Sequence, residues 1–351
     1  MTKRLEWIDT FKGIVMLMVI FSHICSFSSF HGLDYEKFIN IPLRGIMVPA
    51  FFFISGYLLS NKRNHFPVFF IHRFRQIVVP YFIFFLINYI FWFFILKDTY
   101  PSDFTWFDPL LGMLEGKAVF VSPTEFNMIT AFPMWFITTL FIAEIYFFIL
   151  KKIFNNNLKI LFGLVILSLL GFFISYFLNI MSIRPWWNID VAITATVFYG
   201  FGYLVKDINI MSQININNSL KVILISILFL VAFTISIVNY SAIAFGKYGN
   251  PILFYIGALS GITALIFFVQ FRLIEKNYIL QYIGKNTYLI LAFHIVAIYF
   301  TEYILLHLFH IPIVIYTHSS LGIISYILLL FLIIYLITEV FNRFLPKILV
   351  R

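Results

Sequence analysis

The sequence predicts an all-α polytopic membrane protein, a helix bundle of about ten transmembrane helices with both termini in the cytoplasm. Of its 351 residues, 62% are hydrophobic and only 11% are charged, whereas soluble domains carry roughly 25% charged residues. Apolar runs recur along the whole chain, each close to the roughly 17–25 residues that a helix needs to cross a bilayer. The sequence lacks short segments of alternating polarity, which argues against an outer-membrane barrel.

Apart from the longer, acidic segment Lys97–Pro133, the apolar runs are separated by short loops, and no second domain is evident. Residues 1–351 are therefore expected to form one integral-membrane domain. The helices are expected at residues 12–30, 42–60, 77–96, 133–150, 160–178, 191–206, 220–239, 251–271, 284–305 and 319–342. The first is expected to be retained, because it lacks a convincing small-residue cleavage site.

Lysine and arginine follow the alternation of the loops. Six of the 24 fall on the side opposite the termini, so the positive-inside rule places both termini in the cytoplasm. The net charge of +9 is thereby explained by topology and does not require a nucleic-acid partner. The single cysteine, Cys25, excludes an internal disulfide and the cysteine-based metal sites.

The first predicted helix carries two ionisable residues, Lys12 and His23. They lie eleven residues apart, about 16 Å along a helix and close to three turns, so both project from one face. Lys12 would lie at the cytoplasmic interface. His23 would lie beyond the bilayer centre, where ionisable groups are costly and commonly functional. Two structural interpretations stay open: an interfacial lysine for Lys12, and a core histidine bonded to a neighbouring helix for His23.

Two further ionisable residues are expected at a comparable depth, Glu144 in the fourth helix and His294 in the ninth. Glu144 could orient His23, as a carboxylate orients a catalytic imidazole, or it could form a structural bond between helices. His294 could be a second polar wall of the same cavity, or a packed histidine.

Other candidate residues have weaker patterns. Ser55-Gly56 is more typical of close helix packing than of a serine nucleophile. Asp190 and Arg184 lie beside two tryptophans at an outer entrance, which suits either the interfacial aromatic belt or stacking on a sugar. Three histidines of the last outer loop have no spacing that fixes them on one face, so no metal site is predicted. These are His307, His310 and His318.

The order of short motifs along the chain resembles the acyltransferase-3 family of membrane acyltransferases. The run Ile8–Gly13 with His23 is similar to that family's opening, a basic residue, a ten-residue gap and a histidine. Phe51–Leu59 looks like its Phe-Phe-x-x-Ser-Gly-Phe/Tyr-Leu signature, and a basic stretch then closes on a proline at Pro80. Two later motifs look similar to the sugar O-acetylase branch. They are Met134-Trp135-Phe136 and Gly284-Lys285-Asn286-Thr287 through His294.

This resemblance implies acyl transfer from cytoplasmic acyl-CoA to a hydroxyl, usually on a sugar of a surface glycan or its lipid-linked precursor. The family's essential histidine maps onto His23, and its basic partner onto Lys12, where arginine is common. The pair Arg73-x-Arg75 is tighter than the Arg-x-x-Arg of many members, which leaves open which arginine does what. Acyl-CoA, expected to be acetyl-CoA, is a donor substrate, and no permanently bound cofactor is expected.

The residue types suit this chemistry in their own right. A near-neutral imidazole can take the proton of a hydroxyl, and cations at the cytoplasmic mouth can hold the phosphates of CoA. The positive-inside bias alone could also account for those cations. The expected catalytic residues are His23 and Glu144. The expected CoA-binding residues are Lys12, Arg73 and Arg75. The expected substrate or cavity residues are Ser55, Trp135, Asp190 and His294.

A polysaccharide exporter or proton-coupled transporter is the alternative hypothesis, because mid-membrane histidine and glutamate also suit proton relays. Transporters often show paired halves with broken helices, and this sequence shows no such duplication. A structural partner of a glycan-synthesis complex is a third hypothesis, disfavoured by the ionisable groups at depth. In each case the protein is expected in a bilayer, most simply the cytoplasmic membrane of a bacterium.

Overall fold

The computed structural model describes residues 5–27, 40–60, 65–96, 105–117, 129–209, 216–311 and 320–344. These ranges are mainly helical and contain no β-strand, so the all-α prediction is confirmed. The helices are α1 Glu6–Phe27, α2 Ile41–Tyr57, α3 Phe66–Arg73, α4 Val79–Phe91, α5 Asp108–Glu115, α6 Trp135–Ile153, α7 Asn157–Ile180, α8 Ile189–Asp207, α9 Asn218–Val238, α10 Pro251–Val269, α11 Arg272–Glu275, α12 Tyr278–Lys285, α13 Thr287–Tyr303 and α14 Ser320–Phe344.

Within the described ranges, nine helical segments are long and apolar enough to cross a membrane. The shorter apolar helix α2 has 17 residues, which gives a length of about 26 Å at 1.5 Å per residue. That length is close to the roughly 30 Å of a hydrocarbon core. The nine segments together with α2 account for the ten predicted spans, and the chain is a multi-pass membrane protein.

The third span begins earlier than predicted. It was expected at residues 77–96, whereas the continuous helical segment runs over Phe66–Ile95 and has 30 residues. A π-helical turn at Phe74–Val78 joins α3 to α4. The basic stretch with Arg73 and Arg75, which the sequence pattern assigns to a loop, is therefore helical. A hydropathy scale gives arginine the same polar value whether or not it is paired with a carboxylate, so hydropathy alone does not predict this helix.

Two motifs that are far apart in the sequence pack against each other at the end of the bundle where α1 begins. The Thr10 hydroxyl of α1 donates a hydrogen bond to the Glu275 carbonyl, at 2.8 Å. A Cβ atom added at Gly284 would overlap the Asp9 carbonyl, and one added at Gly13 would overlap that of Leu280. Only glycine permits so close an approach of α12 to α1.

The ninth span is anchored to the third by polar contacts. The Asn88 amide donates to the Ala292 carbonyl of α13 at 3.1 Å, and the Tyr288 hydroxyl donates to the Ile77 carbonyl at 2.7 Å. Helix α13 is mostly buried, as are α1, α6 and α8, whereas α7, α9 and α14 expose much of their apolar surface. The central helices therefore hold the ionisable residues, and the outer ones face lipid.

Candidate functional site

Two histidines from different helices meet inside the bundle. Nδ1 of His23 on α1 lies 2.6 Å from Nε2 of His294 on α13. The two rings are nearly parallel, with an interplanar angle of 13° and centroids 4.9 Å apart. His294 is fully buried, and His23 is half-buried and forms a T-shaped contact with the Phe132 ring. The interaction joins residues that are 271 positions apart in the sequence.

The surrounding hydrogen bonds assign the tautomers of both rings. Nδ1 of His294 lies 2.9 Å from the Ile290 carbonyl and 3.0 Å from the Leu291 carbonyl. Carbonyl oxygens only accept, so this nitrogen carries a hydrogen, and Nε2 of the neutral ring is then an acceptor. Nδ1 of His23 therefore donates to His294. In the neutral His23 ring, Nε2 is then the nitrogen that carries a lone pair, as a general base requires.

The His23 side chain forms part of the wall of a cavity of about 270 Å³. Val19, Met47 and Phe51 also line this cavity, and so does Trp135 in the first turn of α6. The lining is mostly aromatic and aliphatic and includes no acidic residue among the described residues. His294 lies behind His23 and does not line this cavity, so the expectation that it forms a second polar wall is wrong.

A short hairpin over residues 239–249 closes one side of the cavity, where its residues 240–245 line the wall. A polar cluster holds this hairpin in place. The Asn179 amide donates to the Gly246 carbonyl at 3.0 Å and accepts from Arg184 at 2.5 Å. Gly246 has a φ of +61°, and Asp190 packs close beside it. Asp190 is buried and does not line the cavity, so its predicted place there is corrected to a support of the hairpin.

Glu144 contacts an arginine and not the catalytic histidine candidate. Both of its carboxylate oxygens accept hydrogen bonds from Arg73, which also donates to Gln76 at 2.9 Å. The side chain of Glu144 is completely buried and that of Arg73 is 27% exposed. The predicted orientation of His23 by Glu144 is therefore wrong. The other prediction, a bond between helices, describes the observed arrangement.

The predicted CoA-binding cations are not gathered at the cavity. Lys12 forms an ion pair with Asp9 at 3.2 Å, Arg73 is bound to Glu144, and Arg75 is exposed. Residues two positions apart in a helix do not face each other, so Arg73 and Arg75 point to different sides. None of the three lines the His23 cavity.

Ser55 lies in a tightly packed segment of α2. Its hydroxyl donates to the Phe51 carbonyl at 2.8 Å, and a Cβ at Gly56 would overlap the Tyr199 carbonyl of α8. This geometry agrees with helix packing, and Ser55 does not line the cavity. Its predicted place among the cavity residues is therefore wrong.

Comparison with known proteins identifies the family of this chain. The family model Acyl_transf_3, described as an acyltransferase domain, matches residues 5–339. The chain belongs to the acyltransferase-3 family. It is a membrane acyltransferase, and the match covers every helix that contributes to the histidine pair and the cavity. No curated protein and no solved structure matches it.

Sequence reasoning missed one charged residue of the acyltransferase's cavity. Arg44 at the start of α2 lies on the cavity wall with His23. Its guanidinium donates to the Ser26 hydroxyl at 2.6 Å. The sequence places Arg44 on the outer side, where positive residues are scarce, and that scarcity is the signal that could have marked it.

The described part of the acyltransferase holds no group of three or more His, Cys, Asp or Glu side chains that could bind a metal ion. His307 is exposed and its ring lies against Tyr303, with centroids 4.5 Å apart. His318 of the same predicted loop lies outside the described residues.

Proposed function

We propose that this acyltransferase transfers an acetyl group from cytoplasmic acetyl-CoA to a sugar hydroxyl of a surface glycan or its lipid-linked precursor. The cytoplasmic membrane of a bacterium is the proposed location. The observation that carries the proposal is the His23–His294 pair, because it presents an imidazole with a lone pair on Nε2 at a cavity wall. Family membership favours this reaction over the exporter or transporter hypothesis.

In the proposed reaction, Nε2 of His23 takes the proton of the acceptor hydroxyl as its oxygen attacks the thioester carbonyl. The tetrahedral intermediate collapses, its carbon–sulfur bond breaks, and the departing thiolate receives the proton from the imidazolium. His294 contributes by accepting a hydrogen bond from Nδ1 of His23, which fixes the ring orientation and stabilises the transient positive charge. His294 therefore has the orienting role that was predicted for Glu144. It contacts Nδ1 of His23, the ring nitrogen that a carboxylate contacts in a catalytic triad.

The acceptor would occupy the outer cavity, and the donor would approach from the cytoplasmic end. Lys12 and the exposed Arg75 are the proposed contacts for the CoA phosphates. Arg73 is less suited to that role, because releasing Glu144 would leave a buried carboxylate unpaired at a cost of about 3–5 kcal/mol. From Lys12 the pantetheine arm would extend along α1 toward His23, about 16 Å away.

Release of free thiol from acetyl-CoA by purified protein in nanodiscs tests the proposal, with acetylated product identified by mass spectrometry. His23→Ala should abolish acceptor-dependent release while leaving expression and thermal unfolding near wild type. His307→Ala is the matched control, because it removes an exposed imidazole away from the cavity. Full activity of the His23 variant would remove this residue from the mechanism.

A further inference from the structure

Arg44 lies in a hydrogen-bond network that connects α1 to the start of α2. The Ser26 hydroxyl accepts from Arg44 at 2.6 Å and from the Asn40 amide at 3.0 Å, and it donates to the Ser22 carbonyl at 2.8 Å. A hydroxyl has one hydrogen and two acceptor lone pairs. Ser26 is therefore saturated and holds the guanidinium in place at the cavity wall.

The positive charge of Arg44 has no carboxylate counter-ion among the described residues. The ion pairs found there involve other cations, namely Lys12, Arg73 and Lys117. Arginine stays charged in proteins and has five N–H donors, and only the Nη2 group of Arg44 has a hydrogen bond in the described structure. A cation thus lies on the wall of a mostly apolar cavity, and most of its donors have no partner among the residues that the structure describes.

We propose that Arg44 binds a negatively charged group of the acceptor, a carboxylate or a phosphate, and so presents the acceptor's hydroxyl to His23. This inference rests on the proposed function. Ser26, which holds Arg44, lies three residues after His23, so their Cβ atoms are about 5–6 Å apart on one helix face. The guanidinium fork matches carboxylate and phosphate oxygens. A volume of about 270 Å³ is just below the range of about 300–1,000 Å³ for ligand sites and suits one charged ring, not an oligosaccharide.

Binding of two matched probes tests this site without requiring turnover. Methyl glucuronoside has a carboxylate where methyl glucoside has a hydroxymethyl group. The affinity of the protein for each would be measured by calorimetry in nanodiscs of zwitterionic lipid. Wild type should bind the glucuronoside about 10- to 100-fold more tightly, as charge-assisted hydrogen bonds allow. Arg44→Gln should lose this preference and Arg44→Lys should keep part of it. Lys159→Gln, which removes an exposed charge on α7 away from this cavity, should keep it in full.

Glucose 1-phosphate distinguishes the two sources of the charge. Tighter binding of the phosphate than of the glucuronoside, lost in Arg44→Gln, would assign the anion to a phosphorylated precursor. Tighter binding of the glucuronoside would assign it to an acidic sugar. The proposal is overturned if wild type binds neither anion better than methyl glucoside, or if the preference survives in a monodisperse, thermally stable Arg44→Gln protein.

The acetylation assay separates failure of this site from failure of the proposed function. His23→Ala should keep the preference for the glucuronoside over the glucoside while releasing no thiol. If wild type shows the charge preference but transfers no acetyl group to any acceptor, the proposed function fails and the Arg44 site stands. If Arg44→Gln instead lowers kcat equally for charged and neutral acceptors with unchanged KM, Arg44 acts on the reacting oxyanion and the acceptor-binding role is refuted.

Discussion

Replacing His294 is the sharpest test of the histidine pair. His294→Leu removes the Nε2 acceptor that lies 2.6 Å from Nδ1 of His23. His294→Gln keeps a side-chain carbonyl oxygen that can accept a hydrogen bond close to that position. The leucine variant should therefore lose the fixed orientation and tautomer of His23, and the glutamine variant should keep much of it.

The expected magnitude follows from the charge that develops on His23. During proton transfer its ring becomes an imidazolium, and the bond to His294 becomes charge-assisted. Such a hydrogen bond contributes about 1.5–3 kcal/mol net, and about 1.36 kcal/mol corresponds to a tenfold rate change. The leucine variant should therefore lower kcat about 10- to 150-fold. The acceptor KM should change little, because His294 does not line the cavity.

The assay is steady-state thiol release from acetyl-CoA at saturating donor, with kcat and acceptor KM determined separately. His307→Leu serves as the matched control for loss of an imidazole elsewhere in the same span. Thermal unfolding of each variant checks that the protein remains folded. Wild-type kcat in the leucine variant would refute the reasoning, as would equal losses in the leucine and glutamine variants with unchanged stability.

Three further predictions concern the frame of the site. Arg73→Leu or Glu144→Leu alone should lower the free energy of unfolding by about 3–5 kcal/mol, and the double variant should recover most of that loss. Chemical unfolding of the three variants measures these changes, and additive losses in the double variant would contradict the prediction. Gly284→Ala should lower the unfolding temperature because its methyl group would meet the Asp9 carbonyl; an unchanged temperature would refute the close contact. Asp190→Asn should raise the acceptor KM by loosening the hairpin, while leaving the donor KM unchanged in the same assay; an unchanged acceptor KM would reject the support role.

The sequence alone determined the membrane architecture and the family. Both depend on local information, since a span is recognised by the length of its apolar run and the motifs are short segments such as Phe51–Leu59. The early start of the third span is the largest departure from the predicted helix bounds. There the burial of Arg73 against Glu144 offsets the polar signal that hydropathy reads as a loop.

Tertiary structure alone decided the partners of the ionisable residues. Glu144 binds Arg73, His23 binds His294, and Arg44 reaches the same cavity from the next helix. The depth of each residue can be predicted from the sequence, because depth follows from the rise of 1.5 Å per residue. The partners cannot be predicted in this way, because these helices are apolar on nearly every side. Their hydrophobic pattern therefore does not show which face of each helix turns toward the bundle interior. Which polar groups face each other is settled only when the helices pack.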